Sequence, residues 1–104
     1  MKFLVITVMK WPAPPEILPA LYQASQQWVA ESKKSGKLDA LYSIAGQPGG
    51  VGIVNVDSLE ELNDRIQSYP LTPFSEVQTL PLSDIDQAMS TWGEQLKRSG
   101  ILKG

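Results

Sequence analysis

Residues 42–73 read YSIAGQPGGVGIVNVDSLEELNDRIQSYPLTP, and the order of signals in this stretch decides the fold. A strand pattern enters a Gly/Pro turn, a second strand leaves it, a capped helix follows, and Pro70 and Pro73 bound the exit. The first strand pattern begins earlier, at Leu38. Through Ala45 it sets Leu38, Ala40, Tyr42 and Ile44 on one face and Asp39, Leu41, Ser43 and Ala45 on the other. Glycine allows positive φ and proline presets a corner, so Gly46-Gln47-Pro48-Gly49-Gly50 predicts a five-residue hairpin loop into a strand over Val51 to Val56. Pairing Ala45 with Val51 puts Ser43 opposite Ile53 and Leu41 opposite Asn55, which gathers Asp39, Ser43 and Asn55 on one face. The glycines do not read as a phosphate loop, because they lead into β-branched residues rather than a helix and no Gly-Lys-Ser/Thr follows.

Ser58-Leu59-Glu60-Glu61 is a capping box, with the Ser58 hydroxyl placed to accept the Glu61 N–H and the Glu61 carboxylate placed to reach back. The helix it opens carries Leu59, Leu62 and Ile66 as its apolar stripe and Glu60, Glu61, Asp64 and Arg65 on its wet side, and Pro70 ends it. Working outward, residues 2–10 are apolar or β-branched on both alternating sets, Phe3, Val5, Thr7 and Met9 against Leu4, Ile6 and Val8. A strand buried on both faces needs a second cover beyond one layer of helices, and another copy of the chain is the economical candidate. After the stiff connector Trp11-Pro12-Ala13-Pro14-Pro15, the spacing of Leu18, Leu21, Tyr22, Ser25, Trp28 and Val29 predicts a helix. It begins near Pro19 after a tight turn and stops at Gly36. Phe74 to Leu80 predicts the fourth strand, stopped by Pro81. Ser83-Asp84-Ile85-Asp86 then opens a last helix whose Ile85, Met89, Trp92 and Leu96 are expected to dock, with Trp92 as its anchor.

The order β-α-β-β-α-β plus a C-terminal helix predicts an α+β, ferredoxin-like four-stranded antiparallel sheet with helices on one face and an apolar outer face that pairs with a second sheet. One domain is expected over 1–104, with a core at 1–82 and a C-terminal helix and tail at 83–104, because 42% hydrophobic residues in 104 do not supply two cores. Nine basic against eleven acidic residues, with no basic run beyond Lys33-Lys34, leave no footprint for nucleic acid. The absence of cysteine and histidine excludes disulfides, haem and Ser-His-Asp or Cys-His chemistry, and removes the thiolate and imidazole ligands of zinc, so no metal is expected. The apolar start is too short for a membrane span, and a soluble, cytoplasmic protein is expected.

Several motifs resemble the muconolactone isomerase family of the dimeric α+β barrel superfamily over roughly residues 1–82. They are Met1-Lys2-Phe3-Leu4-Val5, Gly36, Tyr42-Ser43-Ile44-Ala45-Gly46, Val54 through Leu62, and Tyr69-Pro70-Leu71-Thr72-Pro73-Phe74. The resemblance implies a dimeric α+β barrel, assembly as a homodimer or larger ring, and cofactor-free proton transfer on a small unsaturated lactone. It also implies a different polar set. Where the isomerases carry Arg this chain has Asp39 and Ser43, where they carry Asp it has Asn55, and where they carry His it has Gln47. Acidic residues of their first helix correspond to Ser25 and Gln27. Reversing charge at that face turns a carboxylate receptor into a repulsive one, so the fold is expected to transfer and the muconolactone activity is not.

Two readings follow. In the first the chain is an isomerase, cyclase or related proton-transfer enzyme acting on a small, neutral, unsaturated or aromatic compound, with Asp39 as base, Tyr42 or Ser43 as donor and Asn55 beside them. Tyr22, Trp28, Gln47, Tyr69 and Phe74 would line the substrate site. In the second it is a non-catalytic oligomeric module that binds a small hydrophobic ligand or serves structure, and the polar cluster fixes register at an interface.

Overall fold

The structure, a computed structural model, describes residues 1–103; Gly104, the end of the predicted tail, lies outside the described residues. Strands β1 (Lys2–Met9), β2 (Leu38–Ser43), β3 (Gly49–Asn55) and β4 (Ser75–Leu82) alternate with helices α1 (Leu18–Lys34) and α2 (Leu59–Ser68), and helix α3 (Ile85–Arg98) closes the chain. The sheet order is β2-β3-β1-β4 with every neighbour antiparallel, the arrangement expected of a ferredoxin-like α+β fold. A 3-10 turn over Pro15–Ile17 precedes α1, so Pro19 falls in the first helical turn, where its missing N–H costs no hydrogen bond.

The capping box of α2 is present: Ser58 Oγ accepts from the Glu61 N–H at 3.1 Å. Glu61 reaches back one residue further than expected, accepting from the Asp57 N–H at 2.9 Å. Both helices cover the face of the sheet that carries Phe3 and Val54. These two residues, with Val56 and Leu62, form the buried core, and Val5, Leu38 and Ile66 pack against it. The opposite, outer face carries Leu4, Ile6 and Val8 of β1 with Val51 and Ile53 of β3, paired Leu4 to Ile53 and Ile6 to Val51. The doubly apolar first strand therefore has helices on one side and an uncovered apolar surface on the other.

Three local expectations are corrected. The hairpin loop has the predicted five residues but spans 44–48, closed by the Ile44 N–H donating to the Gly49 carbonyl at 2.9 Å, so Gly49 and Gly50 belong to β3. Ser43 then pairs with Gly50 rather than Ile53. A shift by an odd number of residues exchanges the faces of a strand, and this one moves Ser43 to the helix side. Pro81 lies inside β4 instead of stopping it, which an edge strand tolerates because no further strand needs its N–H. The last helix does not dock on its own body: Ile85, Met89 and Trp92 are all more than half exposed. The molecule is 65 Å long and its radius of gyration is 18.4 Å, against roughly 13 Å for a compact chain of this length. Among the described residues, no helix is long and apolar enough to cross a membrane.

Candidate functional site

Between the two covering helices and the sheet lies an apolar cleft. Its inner part has a volume of ≈ 80 Å³ and is walled by Trp28 of α1, by Leu62, Arg65 and Ile66 of α2, and by Tyr69 and Thr72 just beyond. Its floor is Gly50 and Gly52 of β3, flanked by Val5 and Thr7 of β1 and Leu41 of β2. The cleft continues past Thr7, Val29, Leu41 and Tyr69 into an open part of ≈ 400 Å³ rimmed by Met9, Tyr42, Ser43, Pro48, Leu71 and Ser75. The inner part alone is smaller than the 150 Å³ or so that accepts a benzene ring, but with the open part the space reaches the range of small-molecule sites.

The floor exists because two alternate positions of one strand have no side chain. A β-carbon built on Gly50 would meet the Tyr42 carbonyl at 3.4 Å and Thr7 Oγ1 at 3.9 Å, ordinary contacts that leave the space above unfilled. The neighbouring Gly49 is different, since a β-carbon there would stand 2.3 Å from the Thr7 carbonyl. Gly49 is needed by the backbone and Gly50 by the cleft.

The wall is an aromatic and cationic group held by hydrogen bonds between α1 and α2. The Trp28 and Tyr69 rings lie 4.8 Å apart at 53°, and the Arg65 guanidinium stands 5.2 Å from the centre of the Trp28 ring. Trp28 Nε1 donates to Ser68 Oγ at 2.9 Å, fixing the indole across the helix pair. Arg65 Nη2 donates to Oγ of Ser32, a fully buried residue of α1, at 2.5 Å. Burial pushes the Tyr69 phenol above its ordinary pKa, favouring its protonated form.

The residues expected from sequence divide between this cleft and four other places. Trp28 and Tyr69 are in its wall, Ser43 lines the open part, and Tyr42 reaches only the rim, being 71% exposed. Asp39 and Asn55 meet on the outer face: Asn55 Nδ2 donates to Asp39 Oδ1, and Lys2 Nζ donates to Asp39 Oδ2 at 2.5 Å. The expected trio on one face is thereby corrected. A bulge between Leu38 and Ala40 turns Asp39 alone towards Asn55, while the shifted register leaves Ser43 on the other side. Tyr22 is exposed on α1 and accepts from Gln26 Nε2 at 3.0 Å, and Gln47 is exposed in the hairpin loop. Phe74 sits in the 3-10 turn Thr72–Phe74, where its carbonyl accepts the Lys10 and Trp11 N–H groups, and it does not line the cleft.

Asp39 is a poor base in this setting. Its hydrogen bond from Lys2 comes first in holding its pKa below the ordinary carboxylate value; desolvation opposes this, and the hydrogen bond from Asn55 adds to the lowering. Asp39→Asn is expected to leave ligand binding and turnover within about twofold of wild type, as for an exposed ion pair. A depressed folded pKa stabilises above the unfolded value and is lost as pH falls. The stability difference between wild type and Asp39→Asn should therefore be present at neutral pH and vanish in acid, measured by urea unfolding across that range.

Sequence reasoning missed Arg65 by placing it on the wet side of its helix. Its spacing from Leu62 and Tyr69, three back and four ahead, puts all three on one face and was the available signal. Thr7, Gly50 and Gly52 were missed because Gly50 was assigned to a turn and Thr7 and Gly52 to plain strands.

The comparisons with known proteins agree with this fold. The profile of the Muconolactone delta-isomerase family matches residues 1–88. A muconolactone Delta-isomerase of Rhodococcus opacus is 26% identical over 69 residues, covering 66% of this chain and 74% of that protein. The crystal structure of a muconolactone isomerase superposes with a TM-score of 0.73 at 24% identity, covering 81% of this chain and 90% of that one. A 5-chloro-2-hydroxyhydroquinone dehydrochlorinase from Burkholderia phenoliruptrix, solved with 2,5-dihydroxybenzoquinone, superposes with a TM-score of 0.65 at 16% identity, covering 84% of this chain and 98% of that one. The chain belongs to the muconolactone delta-isomerase family.

Proposed function

We propose that this protein is a cofactor-free enzyme of the isomerase or related proton-transfer type, acting on a small unsaturated or aromatic compound held in the cleft between α1, α2 and the sheet. The observation that carries this reading is the composition of the cleft: a glycine floor that admits a flat ring, aromatic walls, and a phenol and a guanidinium on the same side. Removing a proton beside a carbonyl generates an enolate-like oxygen, and a protonated phenol with a cation close by is the arrangement that stabilises one. The two relatives named for a lactone isomerisation and for a chlorinated hydroquinone both support a small ring compound as the class of substrate.

None of the residues lining the cleft is Asp, Glu or His. In this reading the proton is accepted by an oxygen of the substrate or by water in the open part, and the protein supplies position and charge stabilisation. The same observation favours a second reading, in which the cleft binds its ligand without turning it over. Proton exchange between deuterated water and a panel of five-membered unsaturated lactones and cyclic enones, followed by NMR, separates the two. Catalysed exchange that falls about a hundredfold in Tyr69→Phe, with binding changed only a few-fold, supports the enzyme. Saturable binding with no exchange across the panel supports the binding module.

We also assign the outer sheet face to a homodimer contact. Leu4, Ile6, Val8, Val51 and Ile53 form a continuous apolar surface with no cover from the chain itself. Two such sheets face to face would bury it symmetrically.

A further inference from the structure

We propose that the cleft receives an anion, a flat conjugated compound carrying a negatively charged oxygen, and that Arg65 is its receptor. This rests on the cleft being the ligand site and goes further by fixing the charge of the ligand as negative, in place of the neutral compound expected from the sequence.

Arg65 lines the inner cleft and is partly withdrawn from water, yet its protein partners are a hydroxyl and a ring. One nitrogen donates to Ser32 Oγ, the guanidinium faces Trp28, and Nε is buried with no partner. It makes no ion pair with a carboxylate among the described residues. The acid that feels its field is Glu61, one turn earlier on α2. That carboxylate is already engaged by the Asp57 N–H at 2.9 Å and by Lys37 at 3.0 Å, and both outrank Arg65 in lowering its pKa. A cation moved out of water is ordinarily paired, and this one lines a cleft with no carboxylate partner among the described residues.

Ser32 makes the arrangement deliberate in physical terms. It is the buried polar side chain of the described core, 1% exposed, and its hydroxyl serves the guanidinium and no other group. A serine buried in the last turn of α1 contributes little packing. Its effect here is to hold Arg65 against α1, where the charge borders the space between Trp28, Tyr69 and Thr72. The rings supply faces for a conjugated frame, the Tyr69 hydroxyl supplies a second donor, and the guanidinium supplies the positive charge. The Asp39 side of the sheet, where Lys2 is already paired with Asp39, plays no part in this site. The positive charge enters from α2.

The test is calorimetric titration of the intact protein with matched pairs that differ in charge: benzoate against benzamide, and 4-nitrophenolate against nitrobenzene. Each anion is expected to bind about tenfold or more tightly than its neutral twin, and the tighter of the two anions identifies a carboxylate or a phenolate as the preferred group. Arg65→Met should bring the anions down to the affinity of their twins and leave the twins unchanged. Arg65→Lys, the variant to use if the methionine form does not fold, should keep an anion preference that fades as salt rises. Equal affinity for anion and twin in wild type, or a preference that survives Arg65→Met, overturns the proposal. If benzamide binds and Gly50→Val abolishes it while no anion preference exists, the cleft reading stands and this one falls. If no probe binds, both fall.

Discussion

Gly50→Val is expected to abolish ligand binding and any turnover, by about a hundredfold or more, while the protein unfolds within a few degrees of wild type. The two halves of this expectation come from the same position. The valine β-carbon would sit at ordinary contact distance from the Tyr42 carbonyl and Thr7 Oγ1, and Gly50 does not need positive φ, so the strand accepts the residue. Valine also favours strand and narrows the unfolded ensemble relative to glycine, which offsets any crowding. Its two methyl groups, however, occupy the floor on which a ring would lie. Gly49→Val is the matched control. A side chain there collides with the Thr7 backbone, and the expected result is loss of the fold rather than loss of binding. Thermal unfolding with and without ligand checks both, and normal binding in folded Gly50→Val would place the ligand elsewhere.

Ile6→Lys is expected to convert the protein to a monomer. Ile6 is at the centre of the outer face, between Val51 on β3 and Gln78 on β4. In a symmetric sheet-to-sheet contact the substitution buries two like charges without partners, enough to weaken association by about a hundredfold or more. Sedimentation should give about twice the 11.4 kDa chain mass for wild type and the single-chain mass for the variant. A wild-type monomer at micromolar concentration would remove the homodimer assignment and leave the cleft untouched.

The fold was legible because its signals are local and mutually consistent. The capping box at Ser58, the stops at Gly36 and Pro70, and the double apolar set of β1 each follow from chemistry within a few residues. The cleft was half legible. Trp28 and Tyr69 carry their burial in their size, and a helical stripe points them inward. The polar trio failed because it rested on one register assignment, and the observed pairing of Ser43 with Gly50, three residues from the expected Ile53, exchanges the faces of the strand. The deciding fact, that Gly49 must enter the strand beside the Thr7 carbonyl, is a contact between distant segments that no reading of the hairpin alone contains. Arg65 failed for another reason. A charged residue is assigned outward by default, and only the buried Ser32, thirty-three positions away, shows that it turns in.

The projecting α3 has a consequence for how the chain spends its time in dilute solution. Its helix is supported by local devices alone: the Asp84 side chain accepting the Gln87 N–H at 2.8 Å, Lys97 and Arg98 at the negative end, and Gly100 in the left-handed conformation letting Ile101 bond back to Leu96. A free helix of this length in water sits close to its own melting point. The last turns of the chain are thus poised between order and fraying, and their helix content becomes a readout of whatever apolar surface they meet.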